Sequence, residues 1–450
     1  MSTILQRSHA RAPQDDLGQR YGYFSSGVIE QLLPPGLVLL PQCSQIYELD
    51  LAWAEYKMLG TEGLVERSAY FWKVDDEETH HFRICVNTPS QVDEAASINR
   101  KNFFSSNLFS VGYATHGLYP YRGKFHPQMI KGIFNAIGLK RGETVLDPMC
   151  GSGTTLVEAS ILGIRSIGID QNPFVCFMAS GKLAGLTLSS TFFPRILAAS
   201  DQIFEYFHGA RPAREKGGLA FATKAMRQKV LRDELEANAA LRRLLGLAYL
   251  DAVGYAARRV NKTPRDLFDV VLGRYLAAVR CFGESRAKLG IRPAAGKVIH
   301  EDIRVAKLPP ESVEAVVFSP PYSFALDYIE NDRPQIEYLG YEVEPLKAAT
   351  IGVRGGEGSN EAARVQARVE RYFGDMDVVM RQSASVLKPG RCCVVVIGSN
   401  TSQTGGIRLE ERVIESAERY GFAKFKHIVR EIEGIRNTLK DEHLLFFVKE

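Results

Sequence analysis

The sequence predicts an α/β fold, in which a mostly parallel sheet is interrupted by a basic helical insertion and preceded by a small N-terminal α+β domain. Three observations support this prediction. Over residues 126–186 a helix, a strand, a glycine-rich turn, a helix and a second strand follow one another, which contains the order of a βαβ unit. Strand patterns return after residue 296, in KVIHED and AVVFSPPY. The segment between these two regions has apolar residues at helical spacing.

Four segments follow from these patterns. Residues 1–100 mix short apolar runs with the helical stretch LDLAWAEYKMLG and form the small α+β domain. Residues 101–186 supply the first part of the sheet domain. Residues 297–450 supply the second part, and the runs AKFKHIVREIE and HLLFFVK predict a closing antiparallel pair. Residues 187–296 are the helical insertion, at a place where a target-recognition element would sit.

The composition is that of an ordinary globular protein, with 45% hydrophobic and 24% charged residues among 450. No run of about 18 apolar residues indicates a membrane span, and the N-terminus lacks the apolar core of an export signal. The seven cysteines show neither CxxC pairing nor the Cys/His spacing of zinc sites. We therefore expect reduced thiols, no metal and a cytoplasmic location.

Positive charge is concentrated in one part of the chain. The whole chain has a net charge of +4. Residues 211–300 contain 19 Lys/Arg against 8 Asp/Glu, a local net charge of +11. Such an excess is the expected footprint of a polyanion partner, and a solvated helical surface rich in arginine explains it equally well.

The turn Asp147–Thr155, DPMCGSGTT, lies between a predicted strand and a predicted helix. Gly151 and Gly153 let the backbone approach a ligand closely, and the helix behind them offers free N–H groups. A phosphate-binding loop requires Gly-x4-Gly-Lys-Ser/Thr, and no lysine is present. A dinucleotide fingerprint requires a third glycine at the position of Leu156. The turn therefore fits neither of these ligands.

S-adenosylmethionine is the third ligand that such a turn can bind. Asp147 and the loop carbonyls suit its methionyl ammonium, and Asp170, at the end of the next predicted strand, suits the ribose hydroxyls. Asp302, after the strand KVIH, is placed to accept from the adenine amino group. Any one of these aspartates alone is better explained as the cap of a turn. Three of them at strand ends of one sheet favour the cofactor.

A second motif, SPPY, follows the apolar strand AVVF. Its prolines, Pro320 and Pro321, fix an extended backbone and remove two N–H donors, so carbonyl oxygens project without competition. An exocyclic base amine is a poor nucleophile because its lone pair is conjugated into the ring. We expect Ser319 Oγ and the Pro320 carbonyl to accept its N–H groups, and Tyr322 to stack on an extruded base. Prolines alone also fit a simple strand-terminating turn.

DPMCGSGTT resembles the DPFCGSGTT motif of S-adenosylmethionine-dependent amino-methyltransferases that act on DNA, chiefly on cytosine N4. The segment Gly123–Gln128 resembles the motif that precedes the cofactor loop in that family and closes over the methionine end. The resemblance covers about residues 115–186 and 297–450, and it implies a Rossmann-like methyltransferase sheet. The cofactor contacts expected on this basis are Lys124, Phe125, His126, Asp147, Met149, Gly151, Gly153, Thr154, Asp170 and Asp302.

The serine of SPPY favours cytosine N4, because the family has SPPY or SPPF in cytosine-N4 enzymes and more often DPPY or NPPY in adenine-N6 and guanine-N2 enzymes. The motif order here, with the cofactor loop first, is the reverse of that in many cytosine-N4 DNA enzymes. It is similar to the order in tRNA guanine-N2 enzymes, which also carry an extra N-terminal domain. The resemblance implies methyl transfer to cytosine N4 in DNA, with adenine N6 in DNA and guanine N2 in tRNA as alternatives.

A nucleic acid, DNA rather than RNA, is the expected partner. A solvent-facing surface explains each basic residue of the insertion nearly as well as a phosphate contact does. The candidate phosphate contacts are Arg242, Arg243, Arg258, Arg259, Lys262 and, after SPPY, Arg333. A nucleic-acid-binding module that keeps the fold without catalysis is a hypothesis from another class, and the intact motif residues argue against it.

Overall fold

The computed structural model describes residues 31–88, 112–121, 123–209, 211–215, 218–222, 229–257, 261–321, 327–352, 360–399, 407–432 and 441–450. Within residues 31–88, three short strands pair antiparallel and two helices pack beside them. These elements are β1 (Leu37–Leu39), α1 (Ile46–Arg67), β2 (Phe71–Val74), β3 (Glu77–Glu78) and α2 (His80–Val86). The described part of the predicted N-terminal unit therefore has the expected α+β character.

The first part of the sheet domain has the predicted βαβ order. Its elements are α3 (Pro127–Ala136), β4 (Thr144–Asp147), α4 (Thr154–Ile161), β5 (Arg165–Asp170) and α5 (Pro173–Gly185). β4 and β5 pair in parallel, as a βαβ crossover requires. The side chain of Asn172 accepts from the Phe174 amide and caps α5 at its start.

The insertion is mainly helical, as its apolar spacing predicts. A short 3-10 turn, Ser190–Phe192, precedes these elements. They are α6 (Phe193–Ala198), α7 (Ser200–His208), β6 (Arg211–Glu215), β7 (Gly218–Ala222), α8 (Lys229–Ala237), α9 (Ala239–Ala256) and α10 (Pro264–Lys288). β6 and β7 form an antiparallel hairpin that the helical prediction missed. Each strand has only five residues, too few for a clear two-residue periodicity between helical segments.

The rest of the chain completes the sheet. Its elements are β8 (Gly296–His300), β9 (Val313–Phe318), α11 (Tyr328–Asn331), α12 (Arg333–Tyr338), α13 (Val343–Ala349), α14 (Glu361–Val386), β10 (Leu387–Ser399), α15 (Leu409–Arg419), β11 (Phe422–Glu431) and β12 (Asp441–Lys449). The seven-stranded sheet has the order β11-β12-β10-β9-β4-β5-β8. β12 runs antiparallel to both of its neighbours, which confirms the predicted closing pair.

The strand order places the carboxyl ends of the parallel strands along one edge of a Rossmann-like α/β sheet. From β4 the chain adds β5 and β8 on one side, and it then crosses back to add β9 on the other side of β4. Ligands of open α/β sheets bind in the crevice at such a switch point, outside the carboxyl ends of the strands. The glycine-rich turn, Asp170 and Ser319 all follow strands at this edge.

The N-terminal elements share a core with one face of the sheet. Leu51, Tyr70, Ile130 and Val145 belong to the same buried cluster. In α3, a Cβ added at Gly132 would lie 2.7 Å from the Tyr70 ring, so α3 and the N-terminal elements pack closely. Within the described residues, no helix combines the length and the apolar run needed to cross a bilayer.

A second cluster joins the insertion to α5 and to the segment that contains α11 and α12. Phe174 and Phe177 of α5 pack with Leu244 of α9 and with Ile336 of α12. The third cluster fills the other face of the sheet, between its strands and the helices α14 and α15. The insertion is therefore fixed beside the carboxyl edge of the sheet, next to the segment that follows the SPPY motif.

Candidate active site

One cleft opens at the carboxyl edge of the sheet and encloses about 1230 Å³, including the part open to solvent. The cofactor turn and the start of the SPPY motif both line it. The sequence-predicted residues that line this cleft are Lys124, Phe125, His126, Met149, Gly151, Thr154, Asp170, Asp302, Ser319, Pro320 and Pro321. Tyr322 lies outside the described residues. Two segments that are far apart in the sequence thus line one cavity.

The glycine-rich turn has the backbone conformations for which its glycines are needed. Gly151 and Gly153 have φ values of 45° and 80°, a region that favours glycine. Gly153 is the N-cap of α4, and a Cβ there would lie 2.7 Å from Cβ of Ala179. The turn therefore depends on glycine at this position both for backbone conformation and for its packing on α5.

Asp147 lies at the end of β4, behind the turn, and its side chain is buried. Its Oδ1 accepts from the Met149 amide at 3.1 Å. Its Oδ2 is also buried, and the Thr155 side chain is close enough to lower the pKa of the carboxyl in part. Burial raises the pKa of Asp147 to about 7. Asp147 itself does not line the cleft, whereas Pro148 and Met149, which follow it, do.

Asp170 is tied to the turn through its carboxylate. Its Oδ2 accepts from the Gly151 amide and its Oδ1 from the Asn172 amide, both at 2.9 Å. Desolvation raises the pKa of Asp170 to about 6. The acid at the end of β5 thus shapes the turn after β4, in addition to facing the cleft.

Asp302 lines the cleft and is held in an ion pair that the sequence did not indicate. The Arg304 guanidinium donates from Nε to both Asp302 oxygens at 3.0 Å and from Nη1 to Asp375 at 2.7 Å. These two carboxylates raise the pKa of Arg304. Arg304 also donates to the Ala349 carbonyl, next to Thr350 and Ile351 on the cleft wall. Asp302 therefore has a fixed orientation in the protein itself.

The predicted segment before the cofactor turn forms another wall. Lys124 Nζ donates to the His116 carbonyl at 3.2 Å, and burial lowers the pKa of Lys124. His126 is buried, and its burial together with nearby positive charge lowers its pKa to about 3, so the imidazole is neutral. Arg430 and Glu442, a cross-strand pair joined at 2.6 Å, line the same region and were not predicted. Their sequence context is an ordinary alternating strand pattern, which carries no signal for a site.

Ser319 and Pro320 follow β9 directly, and five of the six side chains of β9 are buried or lie in the sheet core. Pro320 is buried, whereas Ser319 and Pro321 are half-buried and line the cleft. Neither proline has an N–H group, so Pro320 and Pro321 offer only backbone acceptors. The arrangement offers acceptors to a polar N–H group in the cleft.

The predicted phosphate contacts have different surroundings. Arg243 and Lys262 are exposed, as a phosphate contact requires. Arg242 instead donates to the Leu235 and Glu236 carbonyls at 2.8 Å, at the end of α8. Arg333 pairs with Glu330 and Glu344. Arg258 and Arg259 lie outside the described residues.

Comparison with known proteins finds similarity to methyltransferases over part of the chain. Residues 118–240 match the family model described as UPF0020: RMKL-like, methyltransferase domain. Over 113 residues the chain is 48% identical to the Type II methyltransferase M.MjaII of Methanocaldococcus jannaschii, covering 24% of this chain and 21% of that protein. Over 50 residues it is 40% identical to the tRNA (guanine(10)-N2)-dimethyltransferase of Methanothermobacter thermautotrophicus, covering 11% of this chain and 15% of that protein.

The chain thus spans about a fifth of the length, or less, of these curated relatives. Among solved structures, TrmN from Thermus thermophilus is similar over 73% of this chain and 50% of its own, with a TM-score of 0.32 and 12% identity. The sheet order gives the chain a Rossmann-like α/β fold, and residues 118–240 are similar to a methyltransferase domain.

Proposed function

We propose that the chain transfers a methyl group from S-adenosylmethionine to an exocyclic amino group of a nucleic-acid base, with cytosine N4 in DNA as the first candidate. The observation that carries this proposal is the shared cleft, where the turn after β4 and the Ser319–Pro321 segment after β9 line one cavity. When bound, S-adenosylmethionine supplies an electrophilic methyl group attached to a sulfonium.

We assign one part of the cleft to the methyl donor and the other part to the target base. On the donor side, the buried Asp147 oxygen would receive the methionyl ammonium, the turn would face the donor, and Asp170 and Asp302 would meet its ribose and adenine. On the base side, Ser319 Oγ and the Pro320 carbonyl would accept the N–H groups of the target amine. This localises the nitrogen lone pair and aims it, so that positioning supplies most of the rate acceleration.

The serine at position 319 favours cytosine N4, since the resembling enzymes with this base preference have SPPY or SPPF. Guanine N2 in tRNA is the second candidate, and a specific observation favours it. The chain matches a tRNA (guanine(10)-N2)-dimethyltransferase at 40% identity over 50 residues. The Type II relative, matched over 113 residues, favours DNA. Adenine N6 in DNA is the third candidate, because its exocyclic amine can donate to the same acceptors.

The experiment is to incubate the protein with labelled S-adenosylmethionine and a mixture of DNA and tRNA, and then to hydrolyse each nucleic acid to nucleosides. We expect labelled N4-methylcytosine from the DNA. Labelled N2-methylguanosine from the tRNA, or N6-methyladenine from the DNA, would select one of the alternatives. Binding of S-adenosylhomocysteine without any label in nucleic acid would point to a non-catalytic binding module. Absence of both binding and label would overturn the proposal.

The strand β9 offers a matched control for the base-side assignment. Ser312 precedes β9 and Ser319 follows it, so the two serines lie at opposite ends of one strand. Ser312 is half-buried and donates to the Pro309 carbonyl at 2.7 Å, and it does not line the cleft. If Ser319 Oγ accepts a hydrogen bond from the target amine, Ser319→Ala should impair methyl transfer and Ser312→Ala should not.

A further inference from the structure

Three segments of the cleft meet at one carboxylate that the proposed chemistry does not use. Oδ2 of Asp332 accepts a hydrogen bond from Asn172 Nδ2 at 2.8 Å and another from the Tyr121 hydroxyl at 3.1 Å. The Asp332 residue is only 5% exposed. Asn172 and Tyr121 both line the cleft, whereas Asp332 lies behind them. Both donors converge on a single oxygen, so that oxygen fixes their separation.

Each of the three residues belongs to a different functional segment. Asn172 follows Asp170 by two residues, and its amide donates to the Asp170 carboxylate. Tyr121 comes just before the Gly123–Gln128 segment. Asp332 lies between α11 and α12, in the segment that continues from SPPY. The Asp332 carboxylate thus joins the donor side of the cleft to the base side.

A second contact joins two of these segments at a separate point. Tyr328 of α11 lines the cleft and lies against Gly123, where an added Cβ would be 3.0 Å from the Tyr328 hydroxyl. Gly123 has a φ of 75°, which favours glycine. The segment after SPPY therefore touches the segment before the cofactor turn both at Tyr328 and at Asp332.

A local role does not explain Asp332. It is the N-cap of α12, a position where an aspartate ordinarily accepts from amides of the first helical turn. Here its side chain makes no such hydrogen bond to α12. The carboxylate instead accepts from two residues that are 160 and 211 positions away in the sequence. Its orientation serves the contact between segments and not the helix.

We infer that Asp332 is a positioning residue, which holds Tyr121 and Asn172 so that the donor wall and the SPPY side of the cleft keep one relative geometry. This inference rests on the proposed function. Asp332 touches neither donor nor base in this account, and it acts only through the two side chains that it holds.

The test compares Asp332→Ala with Asp332→Asn. Because both donors use one oxygen, the single carbonyl oxygen of asparagine can replace it, whereas alanine leaves both donors without an acceptor. We expect Asp332→Asn to keep kcat and the affinity for S-adenosylhomocysteine within about threefold of wild type. We expect Asp332→Ala to lower kcat by about tenfold or more and to weaken S-adenosylhomocysteine binding by a similar factor.

Tyr121→Phe removes one donor and keeps the ring, so it tests the same link when Asp332→Ala fails to fold. Tyr338→Phe is its matched control, because the Tyr338 hydroxyl likewise donates one hydrogen bond, to the Phe207 carbonyl, but Tyr338 does not line the cleft. We expect Tyr121→Phe to lower kcat by about threefold to tenfold and Tyr338→Phe to leave kcat unchanged. In the double variant with Asp332→Ala, the Tyr121→Phe change should add little, since the bond is already lost.

The inference is overturned if folded Asp332→Ala matches wild type in kcat and binding, if Asp332→Asn is as impaired as Asp332→Ala, or if Tyr121→Phe is silent. Measuring S-adenosylhomocysteine binding distinguishes failure of this inference from failure of the proposed function. A wild-type protein that binds this compound but methylates no nucleic acid would reject the proposed substrate, and the binding series would still decide the role of Asp332.

Discussion

The backbone amide of Gly151 donates a hydrogen bond to Oδ2 of Asp170 over 2.9 Å. This hydrogen bond joins the turn after β4 to the acid at the end of β5. The methyl donor is expected to bind at both positions. The other Asp170 oxygen holds the Asn172 amide, and Asn172 in turn reaches Asp332. The shape of the turn is therefore set by side chains of neighbouring segments as well as by its own glycines.

Replacement of Asp170 should disturb the turn even without a ligand. Asp170→Ala removes the acceptor of two backbone amides, and each unsatisfied buried donor costs about 1–3 kcal/mol. Urea denaturation should show a lower free energy of unfolding, and S-adenosylhomocysteine should bind at least about tenfold more weakly. Asp170→Asn, which keeps one acceptor oxygen, should show a smaller loss of stability. Unchanged stability in Asp170→Ala would show that these two bonds do not hold the turn.

Gly153→Ala should be more damaging than another glycine substitution with the same backbone conformation. Gly153 and Gly142 have φ values of 80° and 82°. A Cβ at Gly153 would lie 2.7 Å from Ala179, whereas a Cβ at Gly142 meets nothing within 4 Å. Gly142→Ala should therefore cost only about 1 kcal/mol of backbone strain, and Gly153→Ala should cost more and weaken donor binding. Equal losses of thermal stability and unchanged binding would argue against a tightly packed turn.

The features that were predicted from the sequence are local ones. The βαβ unit, the glycine turn and the placement of Ser319 after β9 each depend on a few consecutive residues. The alternating pattern of the last two strands was sufficient for the closing pair.

The features that were missed depend on pairing between distant residues. Arg304 reaches Asp375 across 71 positions, and Tyr121 reaches Asp332 across 211. The sequence shows such residues only as ordinary charged or aromatic positions. Arg242 Nη1 donates to two carbonyls at the end of α8, a contact that the sequence does not indicate. A positive charge in the sequence does not reveal whether a nearby carbonyl already binds it.

Donor affinity should depend on the ionisation of Asp147. Burial raises its pKa to about 7, and only the carboxylate can pair with a methionyl ammonium. S-adenosylhomocysteine, which keeps this ammonium, should bind more weakly as the pH falls from about 8 to about 6, by up to about tenfold per unit below the pKa. Asp147→Asn should bind weakly and flatten this profile. Calorimetric titration at several pH values measures the affinity of the wild type and of Asp147→Asn.

The raised pKa of Asp147 has the opposite effect on the stability of the free protein, which low pH should favour. Because the folded pKa of Asp147 lies above the ordinary value, folding favours the protonated form. Its contribution to stability is fully present below pH 4 or so and is lost as the pH rises through about 7. Urea denaturation of Asp147→Asn should show a gain relative to wild type that grows over this range. A gain that is independent of pH would exclude the raised pKa.

Nucleic-acid affinity should depend on salt through the exposed basic residues of the insertion. Each phosphate contact that is lost lowers the slope of log affinity against log salt by about 1. Arg243→Gln and Lys262→Gln should each show this change, because both side chains are exposed. Arg242→Gln is the comparison, since Arg242 Nη1 already donates to two carbonyls, and it should lower stability and change the slope less than the other two variants. If all three variants kept the wild-type slope of log affinity against log salt, the nucleic acid would bind elsewhere on the protein.

In the proposed function, one cleft holds a methyl donor on the side of the turn after Asp147 and a base amine on the side of Ser319. The most direct test measures S-adenosylhomocysteine binding and labelled methyl transfer in Asp147→Ala and Ser319→Ala. Asp147→Ala should lose both, whereas Ser319→Ala should bind normally and transfer methyl groups at least about tenfold more slowly, a loss of about 1.4 kcal/mol of transition-state stabilisation. Full methyl transfer in both variants would contradict the account.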